Sequence, residues 1–203
     1  MKNQIKGFVN KQTKMAMLKT LMKTPLVEYL KNAPISMRQY YINNGAPPMI
    51  GDLVDLSNKR FGVVMENLVA NLVGAKKIPD KKNTTGWDIE LRDKKIELKA
   101  SRYWRTMKTW KWQHVMPDHE WEILLLAAVD FTCIRLFCIT KDKFNTLVAA
   151  DVIKQQGNAG GQGFWFSYNQ IKDHEYELTP YNEENTIENI QARTLEWINQ
   201  MEE

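Results

Sequence analysis

Three residues stand out for the chemistry their types and spacing allow: Asp88, Glu97 and Lys99. Glu97 and Lys99 are two apart in the run Lys95-Ile96-Glu97-Leu98-Lys99-Ala100-Ser101, where apolar and polar side chains alternate. A strand with that alternation presents Ile96, Leu98 and Ala100 on one face and Glu97 and Lys99 together on the other. Asp88 lies in a second alternating run, Trp87-Asp88-Ile89-Glu90-Leu91, and the tight turn Arg92-Asp93-Lys94 between the runs predicts a β-hairpin that brings Asp88 beside Glu97. Neighbouring carboxylates repel unless a cation lies between them. Hard oxygen ligands favour Mg²⁺, and the backbone carbonyl of Leu98 is a plausible further ligand. Such an ion can stabilise charge on a phosphate and acidify a water molecule. An adjacent lysine can orient that water and offset developing negative charge. The chemistry these types suit is metal-assisted phosphodiester hydrolysis. By itself, Glu-x-Lys is a common pair on a charged strand face, so the weight rests on the combination with Asp88.

The surroundings of the three residues resemble the PD-(D/E)xK nuclease superfamily, the fold of many restriction endonucleases. Gly86-Trp87-Asp88-Ile89 is similar to the entry of that family's second strand, and Ile96-Glu97-Leu98-Lys99 to its D/E-x-K strand. Glu66, on the preceding helix, matches a position where many members carry another carboxylate. It reads either as an ordinary helix-surface glutamate or as a group reaching the metal or Lys99. The resemblance covers roughly residues 57–140. It implies an α/β fold with an αβββαβ core, a mixed central sheet flanked by helices, divalent-metal dependence and 5′-phosphate products. Pro79-Asp80 also fits the motif's letters. Asp88 is preferred because it opens an apolar strand, whereas Asp80 sits in a Lys/Asn/Thr loop. The residue before Asp88 is tryptophan rather than proline, a departure that many members share.

The elements that must position this cluster follow from periodicity. Phe61, Met65, Leu68, Val69 and Leu72 form a helical stripe over 57–73, with Ser57 or Asn58 as cap and Gly74 as stop. A helix or helix–strand pair is expected over Glu120–Val129, a strand over Cys133–Ile139, a helix from Asp142, a strand over Phe164–Tyr168 and an amphipathic helix over 183–200. The run GNAGGQG at 157–163 lacks the Gly-Lys-Ser/Thr of a phosphate-binding loop and reads as a hairpin loop. In a nuclease its Asn158 and Gln162 could read base edges. Before residue 57, helices are expected over 8–31, and the Pro/Asn/Gly-rich stretch 33–50 as a turn-rich connection.

Charge is unevenly spread. Residues 1–50 hold eight lysines and arginines against Glu28, a net +7, which leaves −3 on the remainder of a chain whose total is +4. The expected organisation is a basic helical N-terminal segment, 1–50, that touches DNA through residues such as Lys11 and Lys14, and a nuclease domain, 51–203. The segment after the lysine strand is both basic and aromatic. Arg102, Arg105, Lys108, Lys111 and Gln113 are candidate DNA contacts, and the neighbouring tryptophans either stack on bases or build core. Trp87, Trp110 and Trp121 are assigned to core. His114, Asp118 and His119 lack a fourth zinc ligand, and Asp118 is read as a helix cap.

Apolar residues make up 43% and charged residues 26% of the 203, as in a soluble globular protein. No apolar run approaches the roughly 20 residues of a membrane span. The lysine-bearing start, MKNQIKGFVNKQTKMAM, has no continuous apolar stretch and so does not read as a secretory signal. Cys133 and Cys138 read as buried free thiols in a reducing, cytoplasmic setting. The expectation is a Mg²⁺-dependent endonuclease of type II restriction kind, with Mn²⁺ able to substitute. It would act on double-stranded DNA as a homodimer, so that each strand meets an active site. A repair or recombination nuclease that reads DNA shape, and a non-catalytic DNA-binding protein, are the alternatives.

Overall fold

The computed structural model describes residues 34–78, 86–156 and 163–201. The chain divides into two compact units, Met1–Ser36 and Met37–Glu203. Lys11, Lys14 and the helices expected over 8–31 fall outside the described residues, as do Asp80, Asn158 and Gln162.

The second unit opens with two short helices, α1 (Met37–Asn43) and α2 (Pro48–Asp55), where a turn-rich connection was expected. The proline pair explains the difference: Pro47 is the N-cap and Pro48 the first helical residue of α2. A proline there loses no hydrogen bond, because the first-turn N–H groups have no partner within the helix. Tyr41, Ile50 and Val54 are buried in the core, so the unit begins well before residue 51. Helix α3 (Asn58–Val73) has Ser57 as N-cap and Gly74 as C-cap, and buries Phe61, Met65, Val69 and Leu72.

The strands then run β1 (Lys76–Lys77), β2 (Ile89–Leu91), β3 (Lys94–Trp104), β4 (Thr109–Val115), β5 (Ile123–Val129) and β6 (Ile134–Thr140). Helix α4 (Lys141–Ala149), β7 (Lys154–Gln155), β8 (Phe164–Ser167), the single turn α5 (Tyr168–Ile171), β9 (Tyr176–Glu177) and α6 (Ile187–Gln200) complete the unit. One mixed sheet carries the order β7-β8-β4-β3-β5-β6-β9, with β1 and β2 continuing from β3. The β2–β3 hairpin turns on two residues, Arg92 and Asp93, both at positive φ (48° and 62°), with Leu91 opposite Lys94. Such a turn matches the twist of the paired strands.

Two expectations fail between β3 and β6. Residues 120–129 contain no helix: Ile-Leu-Leu-Leu-Ala-Ala-Val forms β5, buried at all seven positions. An uninterrupted apolar run suits a strand covered on both faces, and that burial overrides the helix preference of Leu and Ala. The helix expected between the third and fourth core strands is likewise absent. The parallel pair β3–β5 is linked through β4 instead. The alternation Trp110-Lys111-Trp112 gives β4 a period of two, and both indoles are buried. Asp118 therefore caps no helix; it stands in turns leading to β5.

The sheet separates two apolar layers. On one face Ile89, Ile96, Leu98, Leu125 and Leu136 pack against Tyr41, Met65, Val69, Ile190 and Trp197 of α1, α3 and α6. On the other, Leu124, Leu126 and Phe137 pack with Trp112, Trp121, Phe144 and Phe166. Tyr41 ties the first layer to the strand ends: its hydroxyl donates to the Val129 carbonyl at 2.7 Å and accepts from the Tyr103 N–H at 2.7 Å. Burial pushes this phenol well above its usual value. Cys133 is half-buried and Cys138 buried, both as free thiols. Among the described residues no helix is long and apolar enough to cross a membrane.

Candidate active site

Strand β3 is longer than its partners on one edge, and the candidate site lies in the resulting fork. Along one edge β3 pairs with β5 from Ile96 to Arg102. Along the other it pairs with β2 only up to Ile96, and with β4 only from Tyr103. Asp88 stands where β2 leaves. Its carbonyl accepts from the Ile78 N–H at 2.9 Å and its N–H donates to the Ile96 carbonyl at 3.0 Å. Its Oδ2 then accepts from the Leu98 N–H at 2.8 Å, so a side-chain carboxylate takes the place of the next ladder bond. In a strand the N–H and C=O of one residue point the same way. The Leu98 carbonyl therefore faces the fork too, on the Asp88 side.

The chain can leave β2 this sharply because residue 86 is glycine. Gly86 sits at φ +79°, and a Cβ there would lie 2.3 Å from the His119 ring. Both the backbone region and the space exclude a side chain.

Glu97 and Lys99 share a face of β3, and Lys99 Nζ bonds Glu97 Oε1 directly. The Glu97 side chain is 7% exposed and that of Lys99 24%. Burial pushes the Glu97 carboxyl up to about 7; Lys99 opposes this, while the carboxylates of Asp88 and Glu66 push further upward. Glu66 thus acts on the same spot electrostatically, although its own ion pair is with Lys77 Nζ at 3.1 Å.

A cleft of about 750 Å³ lies between α3 and the far end of β3. Of the candidate site residues named from sequence, Glu66, Leu98, Lys99, Arg102, Arg105, Lys111, Gln113 and His114 line it, whereas Asp88, Glu97 and Lys108 do not. Arg102 is committed inward: it stacks 3.9 Å from the Phe61 ring and donates to Asn58 Oδ1 at 3.0 Å and to the Leu56 carbonyl at 2.5 Å. It fastens the start of α3 to β3. Arg105 lies 5.3 Å from the Tyr40 ring. Lys111 Nζ lies 3.6 Å from the centre of Trp165 and 5.0 Å from that of Trp104. Lys108 is exposed at the tip of the β3–β4 turn, at φ 50°.

Sequence reasoning missed Ser101, Gly62 and Trp165. Ser101 is 3% exposed and its Oγ accepts from the Lys111 N–H at 3.1 Å, anchoring β4 where its pairing with β3 lapses. Its place on the Glu97–Lys99 face was readable from alternation. Gly62 lines the cleft from the second turn of α3, inside a helix, where a glycine is unusual. Trp165 comes from a distant strand, and nothing local couples it to Lys111.

Among the described residues, no group of three or more His, Cys, Asp or Glu side chains could hold a metal ion. The oxygens that could hold an ion are those of Asp88, which bonds the Leu98 N–H, of Glu97, on which Asp88 acts electrostatically, and of the Leu98 carbonyl. That set suits Mg²⁺, which is held through one or two carboxylates and keeps several water ligands. The high proton affinity of Glu97 fits as well, since a carboxyl buried beside other acids is stabilised by positive charge. Comparison of the chain with protein-family models and with curated proteins finds no match.

Proposed function

We propose that the chain is a Mg²⁺-dependent DNA endonuclease of PD-(D/E)xK type that hydrolyses phosphodiester bonds in double-stranded DNA, in the manner of a type II restriction enzyme. The observation that carries this reading is the buried Glu97 carboxyl bonded to Lys99 and acted on by the Asp88 carboxylate, itself pinned to the Leu98 N–H, next to a cleft that Leu98 and Lys99 line. The order α3-β1-β2-β3, with β5 parallel to β3, supports the resemblance.

Asp88, Glu97 and the Leu98 carbonyl would hold the ion, with Mn²⁺ able to replace Mg²⁺. When bound, the ion supplies Lewis-acid stabilisation of negative charge on the phosphate. Lys99 Nζ orients the attacking water and donates to a non-bridging phosphate oxygen. Water oxygen bonds to phosphorus as the bond to the 3′ oxygen breaks. One proton of the attacking water passes to bulk water, bulk water protonates the leaving 3′ oxygen, and a 5′ phosphate remains. Glu66, through Lys77 and its field on Glu97, is a positioning residue. Cutting both strands calls for two copies, hence a homodimer.

Digestion of plasmid DNA with Mg²⁺ and with EDTA tests the reading. Lys99→Ala and Asp88→Asn are each expected to lower the cleavage rate by about 100-fold or more, while DNA affinity changes little. Undiminished cleavage by either variant refutes the assignment.

A further inference from the structure

The wall of the cleft opposite α3 has no role in hydrolysis, yet it is built for contact. Trp104, the last residue of β3, is 40% exposed. Four of the other tryptophans (Trp110, Trp112, Trp121 and Trp197) are buried, and Trp87 and Trp165 are partly so. Met107, in the turn after β3, is 46% exposed. A folded chain gains by covering an indole, so one left open beside a cleft suits a flat apolar partner. Behind it, Lys111 sits between the rings of Trp104 and Trp165. Among the described residues no carboxylate makes an ion pair with Lys111, so its positive charge is available to an anion. Across the cleft, Gly62 leaves room: a Cβ built there meets nothing within 4 Å.

An aromatic face, a cation beside it and open space opposite together suit a nucleotide, base against indole and phosphate against ammonium. Trp104 lies five residues beyond Lys99 on β3, a distance of about 17 Å at strand rise. That is about half a helical turn of duplex DNA. In a continuous duplex the faces of internal bases are covered by their neighbours, so the indole can stack only on a base that has left the helix or on one exposed at a kink.

We infer that Trp104 and Lys111 form a stacking subsite that receives an unstacked DNA base within half a turn of the scissile phosphate. The inference rests on the nuclease reading above and narrows its substrate to duplex DNA that is kinked or carries an unpaired base.

The test uses the full chain with Lys99→Ala to prevent cleavage, in Ca²⁺. The probes are two duplexes of the same sequence, one fully paired and one with a single unpaired 2-aminopurine. Tighter binding of the second duplex, with quenching of the 2-aminopurine fluorescence, is expected. Trp104→Ala should weaken that binding about tenfold or more and remove the quench, with an effect of about twofold or less on the paired duplex. Trp104→Phe should keep most of both signals. Trp104→Leu, which preserves apolar bulk, should lose the quench, so a purely structural indole is told apart from a stacking one. Lys111→Gln should reduce the salt dependence of binding by about one ion. Equal affinity for the two duplexes, or a Trp104→Leu variant that still quenches, overturns the inference and leaves the nuclease reading standing. Failure to bind either duplex, alongside failure of the wild-type chain to cut DNA, overturns both.

Discussion

At the scale of single residues, the site is held in an expensive electrostatic state. Glu97 binds its proton up to about pH 7 in the folded chain, whereas an unfolded glutamate releases it near its ordinary value of 4.5. Between these values the folded state carries more protons, so stability falls as pH rises from about 4.5 to about 7 and then levels off. Glu97→Gln should abolish most of that dependence. It should raise stability at pH 8 by about 1–3 kcal/mol while eliminating cleavage. Melting temperatures of the two proteins at pH 5 and pH 8 would show this; identical pH dependence would contradict it. The gain in stability with loss of function is the mark of a group kept for chemistry. Sequence alternation was enough to put Glu97 and Lys99 on one face. It could not give the depth of their burial, which depends on β5 covering the other edge of β3.

At the scale of elements, the hairpin and α3 were legible because each carries its own period and its own stop signal. The Arg92-Asp93 turn and Gly74 mark their ends. The missing helix between β3 and β5 was not legible from a single-strand pattern. Only the pairing of β4 with β3 and β8 makes Trp110 and Trp112 core residues. Helix α3 offers a prediction of its own. Gly62 interrupts it with no intramolecular reason, since an added Cβ has no near neighbour. Gly62→Ala should therefore stabilise the protein by up to about 1 kcal/mol. If α3 borders the path of DNA, the same methyl group should raise KM and leave kcat nearly unchanged. Thermal melts and steady-state cleavage read the two effects separately, and an unchanged KM would mean that the helix face does not meet the substrate.

At the scale of the whole molecule, charge is divided unevenly between segments. The unit Met37–Glu203 carries 21 lysines and arginines against 23 acidic residues, whereas residues 1–36 carry seven lysines against Glu28. Removing residues 1–36 therefore turns a net charge of +4 into −2. DNA affinity measured across salt concentrations should become weaker and less salt-dependent, since the slope shrinks by about 0.9 for every phosphate that is no longer neutralised. An unchanged slope would show that the N-terminal lysines do not touch the DNA backbone. This asymmetry was visible in the sequence, whereas the unit boundary was not. Tyr41 lies in the basic segment by sequence but bonds Val129 and Tyr103 across the core.

The complete burial of β5 has a consequence for handling the protein. In the native sheet β3 and β6 cover both edges of Ile123–Val129, so the segment is hidden. Once heat separates those neighbours, seven uncharged residues without proline are exposed as a template for intermolecular cross-β association. Thermal denaturation should then be irreversible and its apparent midpoint should depend on heating rate. A charge introduced at Ala128 would suppress the aggregate only by also damaging the native sheet, because the side chain has no exposed position to occupy.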